Sequence, residues 1–257
     1  MRAKRKADTT AMARFGPAAT FRIDTDAGNC HQRMMNFYLS SMMIGDHAEV
    51  LRKMAGPNAR MAIITNALDA IPVEAQLFYA REKFDAVEYF SDYGFDPAVV
   101  DLRYYFGRQS ALRDVLKRHR VVWALGGNAF LLRKAMRQSG FDTIIDKLVE
   151  SDGLIYSGWS AGACVAGESL RGIDLMDQPD ASAIGYETDE IVWDGLGLVP
   201  YVVVPHFESD HPEADAAKVA VDWLTKNNID YRALRDGEVI VGLDGEKRIL
   251  ERTRDLA

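Results

Sequence analysis

The stretch Gly153-Leu154-Ile155-Tyr156-Ser157-Gly158-Trp159-Ser160-Ala161-Gly162-Ala163 decides how the rest of the chain is read. Its first half is a short apolar run, the pattern of a buried parallel strand. Its second half matches G-x-S-x-G. A serine on a sharp strand-to-helix turn projects its hydroxyl away from the sheet, and small flanking residues let the backbone make that turn. The small-residue segment from Ala161 reads as a helix start, whose free N–H groups and partial positive charge would face a developing anion. The plainer role for Ser160 is a helix cap in a packing turn.

Outward from this stretch, strand and helix patterns alternate. Apolar runs at Phe37–Ser41, Met61–Thr65, Val99–Leu102, Val121–Leu125 and Val199–Val204 read as strands. Helices are expected over His47–Met54, over an amphipathic stretch from Pro72 to about Tyr93, and over Ser110–His119. Further helices are expected over about 129–138, 142–150 and Glu213–Leu224. The segment Tyr231–Arg252 alternates around Asp236-Gly237 and Asp244-Gly245, as short strands joined by tight turns do. The expectation is an α/β fold: one domain with a doubly wound, mostly parallel sheet and helices on both faces. Functional groups should then gather beyond the carboxyl ends of the strands.

Composition narrows the function classes. The 257 residues carry 38 Asp/Glu against 31 Lys/Arg, a formal charge of −7. Residues 1–33 hold seven Lys/Arg and three Asp, a net of +4, so the remainder carries −11. Residues 1–33 read as a basic, flexible extension, or as an over-long gene start with translation beginning at Met34 or Met35. Residues 34–257 read as the functional domain. An acidic body is a poor match for nucleic acid or an anionic membrane. No apolar run approaches the roughly 18 residues of a spanning helix. Two cysteines, Cys30 and Cys164, exclude a disulfide scaffold and a cysteine zinc site and fit a reducing compartment.

A serine needs a base. Of five histidines, His31 lies in the basic extension, and His47 and His119 lie at helical segments as surface residues. His206 directly follows the strand ending at Val204 and should emerge on the same edge as Ser160, which makes it the candidate base. His211, among Glu208, Asp210 and Glu213, reads as solvated. The third member is an acid that orients the imidazole. Asp174, fourteen residues after the serine, and Asp236, in the turn Leu234–Gly237, are both candidates, and spacing does not choose between them. The N–H groups of Gly127 and Ala161 would make a two-donor oxyanion hole, with Asn128 a candidate substrate contact. The Gly126-Gly127-Asn128 loop lacks the full dinucleotide fingerprint and the Walker lysine, so no nucleotide site is expected.

Taken together, G-G-N-x-F at 126–130, G-W-S-A-G-A at 158–163 and P-H-F at 205–207 resemble the peptidase E (aspartyl dipeptidase) family, whose relatives include cyanophycinase. The resemblance covers about residues 36–245. It implies a class I glutamine amidotransferase-like fold with serine in place of cysteine at the elbow. It further implies a cytoplasmic serine peptidase of small peptides that needs no metal or other cofactor. By position it makes Ser160 the nucleophile and His206 the base. It puts the acid at Asp236, within Leu-Arg-Asp-Gly, or at Asp174, one residue displaced. Two departures stand out. Ala129 replaces the usual threonine, and Glu213–Leu224 holds only Lys218 where aspartyl dipeptidases use an arginine to grip the substrate carboxylate. Preference for N-terminal aspartate is therefore unsupported. Two rival readings are an α/β-hydrolase esterase, which shares the elbow, and a non-catalytic binding module of the amidotransferase-like fold.

Overall fold

The computed structural model describes residues 35–187, 190–243 and 245–253. The basic extension expected over residues 1–33 lies outside the described residues. Four parallel strands carry the core in their own sequences: β1 (Phe37–Ser40), β2 (Arg60–Ile64), β4 (Val121–Ala124) and β5 (Ile155–Trp159), buried along almost every residue. Parallel strands with both faces covered read as continuous apolar runs for this reason. An edge strand β3 (Asp96–Val99) and an antiparallel pair, β8 (Val239–Leu243) and β9 (Glu246–Leu250), complete one seven-stranded sheet. Its order is β3-β2-β4-β5-β1-β8-β9, mostly parallel as expected.

Alternate residues of each strand feed opposite faces. Tyr38, Met61, Ile63, Trp123, Ile155 and Trp159 pack with Leu51 of α1 (Ala48–Ala55) on one side. Phe90 of α3 (Ala86–Asp92) joins them. Leu39, Ile64, Val122 and Tyr156 pack on the other side against α5 (Ala129–Ser139) and α6 (Phe141–Glu150), with Leu112 of α4 (Gln109–Leu116) and Leu224 of α8 (Ala214–Lys226) in the same cluster. The sheet is therefore doubly wound.

Three sequence expectations change. The amphipathic stretch after Pro72 is two helices, α2 (Val73–Glu82) and α3, because Asp85 accepts from the Val87 and Glu88 N–H groups and starts a new helix. The strand expected at Val99–Leu102 lies earlier, at Asp96–Val99. Pro97 is tolerated there because β3 is an edge strand, and Leu102–Tyr105 is a short 3-10 turn. The strand expected over Val199–Val204 shortens to β6 (Val202–Val204). It pairs in parallel with β7 (Tyr231–Ala233) outside the main sheet.

Glycines set the spacing between β4, β5 and the turn after β5. A Cβ on Gly126 would meet the Trp159 indole nitrogen at 2.4 Å, and one on Gly162 would meet the Ala124 carbonyl oxygen at 2.2 Å. The two glycine motifs, far apart in sequence, thus interlock. The neighbour of Gly162 is the backbone of a buried strand and has nowhere to move. Gly162→Ala is expected to destabilise the fold by about 1–3 kcal/mol, read as a lower urea midpoint at unchanged slope. An unchanged midpoint would contradict the packing described.

Candidate active site

The carboxyl ends of β4, β5 and β1 are adjacent in the sheet. They deliver, in that order, Gly126-Gly127, Ser160 and Ser41 to one edge. β8 runs antiparallel to β1, with Val239 opposite Ser40. The turn before β8, which contains Asp236, therefore arrives at the same edge.

Ser160 follows β5 with φ 48° and ψ −117°, a conformation that costs a non-glycine residue on the order of 1–3 kcal/mol. Its N–H is held by the carbonyls of Ser40 (3.3 Å) and Ser41 (3.1 Å). The side chain makes no capping hydrogen bond, so the plain-cap role does not describe it. The helix that follows, α7 (Ala161–Cys164), has only four residues. The helix-dipole contribution expected from the sequence therefore shrinks to the free N–H groups of one turn. Ala161, as the first helical residue, has no intrahelical acceptor for its N–H. Gly126 lies against Ser160, where an added Cβ would stand 3.1 Å from the serine Cβ; the next residue, Gly127, has φ 134°, and a Cβ there would meet the Ala67 carbonyl oxygen at 2.6 Å. Cys164 is buried, and burial pushes its thiol well up, so it is inert beside the serine.

His206 lies just past β6, almost fully buried, with φ 62°. The β6–β7 pairing continues on either side of it: Leu234 N–H donates to Val204 O at 2.8 Å, and Phe207 N–H to Leu234 O at 3.0 Å. Asp236, two residues beyond Leu234, then meets the imidazole. Nδ1 and Asp236 Oδ1 are 2.8 Å apart. The same oxygen accepts from the Ser41 hydroxyl at 2.7 Å, and that hydroxyl accepts the His206 N–H at 2.8 Å. Burial alone would raise the Asp236 carboxyl, but the hydrogen bonds from His206 and Ser41 outweigh it and hold the group below its ordinary value.

The structure thus joins His206 to Asp236. Asp174 turns elsewhere, its carboxylate accepting the Gly172 N–H at 2.8 Å within its own turn. Among the described residues no hydrogen bond links the side chains of Ser160 and His206. Their backbone N–H groups instead bond two atoms of one residue, Ser41, which keeps the two side chains in one neighbourhood. Asn128 caps α5, with Oδ1 accepting from Leu131 N–H at 2.8 Å and Nδ2 donating to Gln178 O at 2.9 Å. Both ends of its amide are engaged, so the expected substrate contact has no idle group behind it. His211, expected to be solvated, is stacked on His206 with ring centroids 3.7 Å apart, because the turn after β6 folds back on itself. His119, expected at the surface, is half-buried, and burial lowers its pKa.

Two site residues escaped the sequence reading. Ser41 is the second of the Ser40-Ser41 pair and lies just past β1, a position with no distinctive pattern. Asp177 lies in the long loop after α7, and its Oδ2 accepts the Ala129 N–H at 2.8 Å. Burial pushes its carboxyl up to about 7 against that hydrogen bond. Nearby Glu213 adds to the rise and His206 opposes it.

A mostly parallel sheet with a serine elbow at the carboxyl end of an inner strand is the framework of a serine hydrolase. The chain belongs to peptidase family S51, whose sequence profile matches residues 71–250. It is 24% identical over 197 residues to an uncharacterised peptidase of Listeria innocua, covering 74% of this chain and 88% of that one. It is 36% identical over 142 residues to a peptidase E of Pasteurella multocida, covering 53% and 56%. A crystal structure of a Listeria monocytogenes protein, described as a candidate peptidase E, superposes with a TM-score of 0.67 at 20% identity. The superposition covers 86% of this chain and all of that one. The protein is a serine-type peptidase with the class I glutamine amidotransferase-like fold, the reading favoured over the esterase and binding-module rivals. No helix among the described residues is long and apolar enough to cross a membrane.

The Asp177 carboxyl has a testable sign. Its folded pKa of about 7 stands above the ordinary 3.8, so the folded state holds this proton more tightly than the unfolded chain. The stability it contributes is full below about 4 and is lost as pH rises through about 7. Asp177→Asn keeps an acceptor for Ala129 and removes the titration. Urea unfolding at pH 5 and pH 8 should show the variant gaining on the parent as pH rises; parallel profiles would contradict this.

Proposed function

We propose that the protein hydrolyses small peptides, with Ser160 as nucleophile, His206 as base and Asp236 as the acid that orients the imidazole. The observation that carries this reading is the 2.8 Å contact of His206 Nδ1 with Asp236, tied by Ser41 to the strained Ser160 turn. Asp236 fixes the proton on Nδ1 and leaves Nε2 to take the Ser160 proton. Ser160 then attacks the scissile carbonyl. The Gly127 and Ala161 N–H groups meet the oxyanion, His206 returns the proton to the leaving amine, and water resolves the acyl-enzyme through the same base. Because Ser160 is already in its strained turn before substrate arrives, its backbone is not reorganised during the reaction.

The substrate class follows from the family and from the peptidase E proteins it resembles, whose matched portions are about half of their length. Selectivity for N-terminal aspartate is not part of the proposal, since α8 offers only Lys218 and Lys226, and Lys218 is exposed. A reducing, cytoplasmic setting accords with the buried free thiol of Cys164.

Dipeptide hydrolysis separates the roles. Ser160→Ala should lose activity by at least ~10³-fold, and Asp236→Asn by about 10²–10⁴-fold. Asp174→Asn should stay within about threefold of the parent. Full activity of Ser160→Ala, or a larger loss at Asp174 than at Asp236, would overturn the assignment.

A further inference from the structure

We propose that His206, His211 and Glu213 form a binding site for a borderline-soft divalent cation of the Zn²⁺ type, and that occupancy silences the serine site. The silencing rests on the reading of His206 as the base; the binding does not. One ligand atom from each residue lies within 4.8 Å of the others. His206 Nε2 is 3.9 Å from Glu213 Oε2, and the two imidazoles stack at 3.7 Å and 9°.

Two imidazole nitrogens and one carboxylate oxygen are the donor set of open zinc sites, which leave a fourth position for water. His206 also has the support such ligands need. Its Nδ1 is fixed on Asp236 at 2.8 Å, the carboxylate–histidine arrangement that orients a metal-binding imidazole and raises its basicity. Nε2 is thereby left as the ligand atom. The His211-Pro212-Glu213 turn brings the other two ligands together, with the Glu213 N–H donating to His211 Nδ1 at 3.2 Å.

Little movement is required. Ligand atoms about 2.1 Å from a tetrahedral ion lie ~3.4 Å apart, so no separation has to close by more than ~1.4 Å. The Glu213 side chain is 42% exposed and can swing inward, and His211, in the loop before α8, can tilt off the stack. The bound ion would occupy the Nε2 lone pair that the serine proton requires. It would act as a reversible inhibitor, without altering Ser160 or the oxyanion donors.

The test uses the purified full chain. Isothermal titration with Zn²⁺ should show one saturable equivalent, and bound Co²⁺ should give a tetrahedral-type visible spectrum. Zn²⁺ should inhibit dipeptide hydrolysis at the same concentrations, and a chelator should restore it. His211→Ala and Glu213→Gln should each weaken Zn²⁺ binding by at least about tenfold. Ser160→Ala should bind as the parent does, which separates this site from the hydrolytic reading. Absence of saturable binding, unchanged binding in both ligand variants, or full hydrolysis at saturating Zn²⁺ would overturn the proposal.

Discussion

The site depends on a backbone held where it would not rest unaided. Ser160 sits at φ 48°, ψ −117°, and what holds it is its N–H between the carbonyls of Ser40 and Ser41 at the end of β1. That position exists because β1 and β5 are parallel neighbours in register, with Ser40 opposite Trp159. The turn must be tight enough for Trp159 to fold onto Gly126 while Gly162 closes on Ala124. The alternation of a core strand thus sends the indole to one face and leaves the next residue, the serine, at the edge.

The same end of β1 organises the other half of the site. The Ser41 hydroxyl takes the His206 N–H and gives its own proton to Asp236. Asp236 receives two hydrogen bonds on one oxygen and remains an anion despite its burial. A carboxylate kept charged beside Nδ1 is what an imidazole needs to be oriented and to be stabilised when it takes a second proton. Asp177 shows the opposite case. It lies in the same neighbourhood with one N–H donor, and burial prevails, so its proton is retained to about pH 7.

Much of this was legible in the sequence, for physical reasons that differ by element. β1, β2, β4 and β5 are buried on both faces, so their apolar runs stood out, and the Ser160 turn was bracketed by glycines with a steric task. β3 begins before the apolar run that suggests it, because Asp96 and Pro97 suit an edge strand and no other. Asp236 and Asp174 were inseparable by spacing. Their separation comes from the antiparallel return of β8, which brings the preceding turn to the edge where β1 ends. Ser41 and Asp177 carried no pattern at all, since a loop serine and a loop aspartate acquire meaning only from what the fold sets beside them. The acidic sequence neighbours of His211 suggest a solvated ring, whereas its environment is the ring of His206.

The proposed hydrolysis requires Ser160 to be a nucleophile activated through His206 and Asp236. The most direct measurement is the rate of phosphonylation by a fluorophosphonate, with the modified residue located by mass spectrometry of peptides. One label per chain is expected, on Ser160, abolished in His206→Ala and slowed in Asp236→Asn. A label on another residue, or equal labelling of Ser160 when His206 is removed, would contradict it.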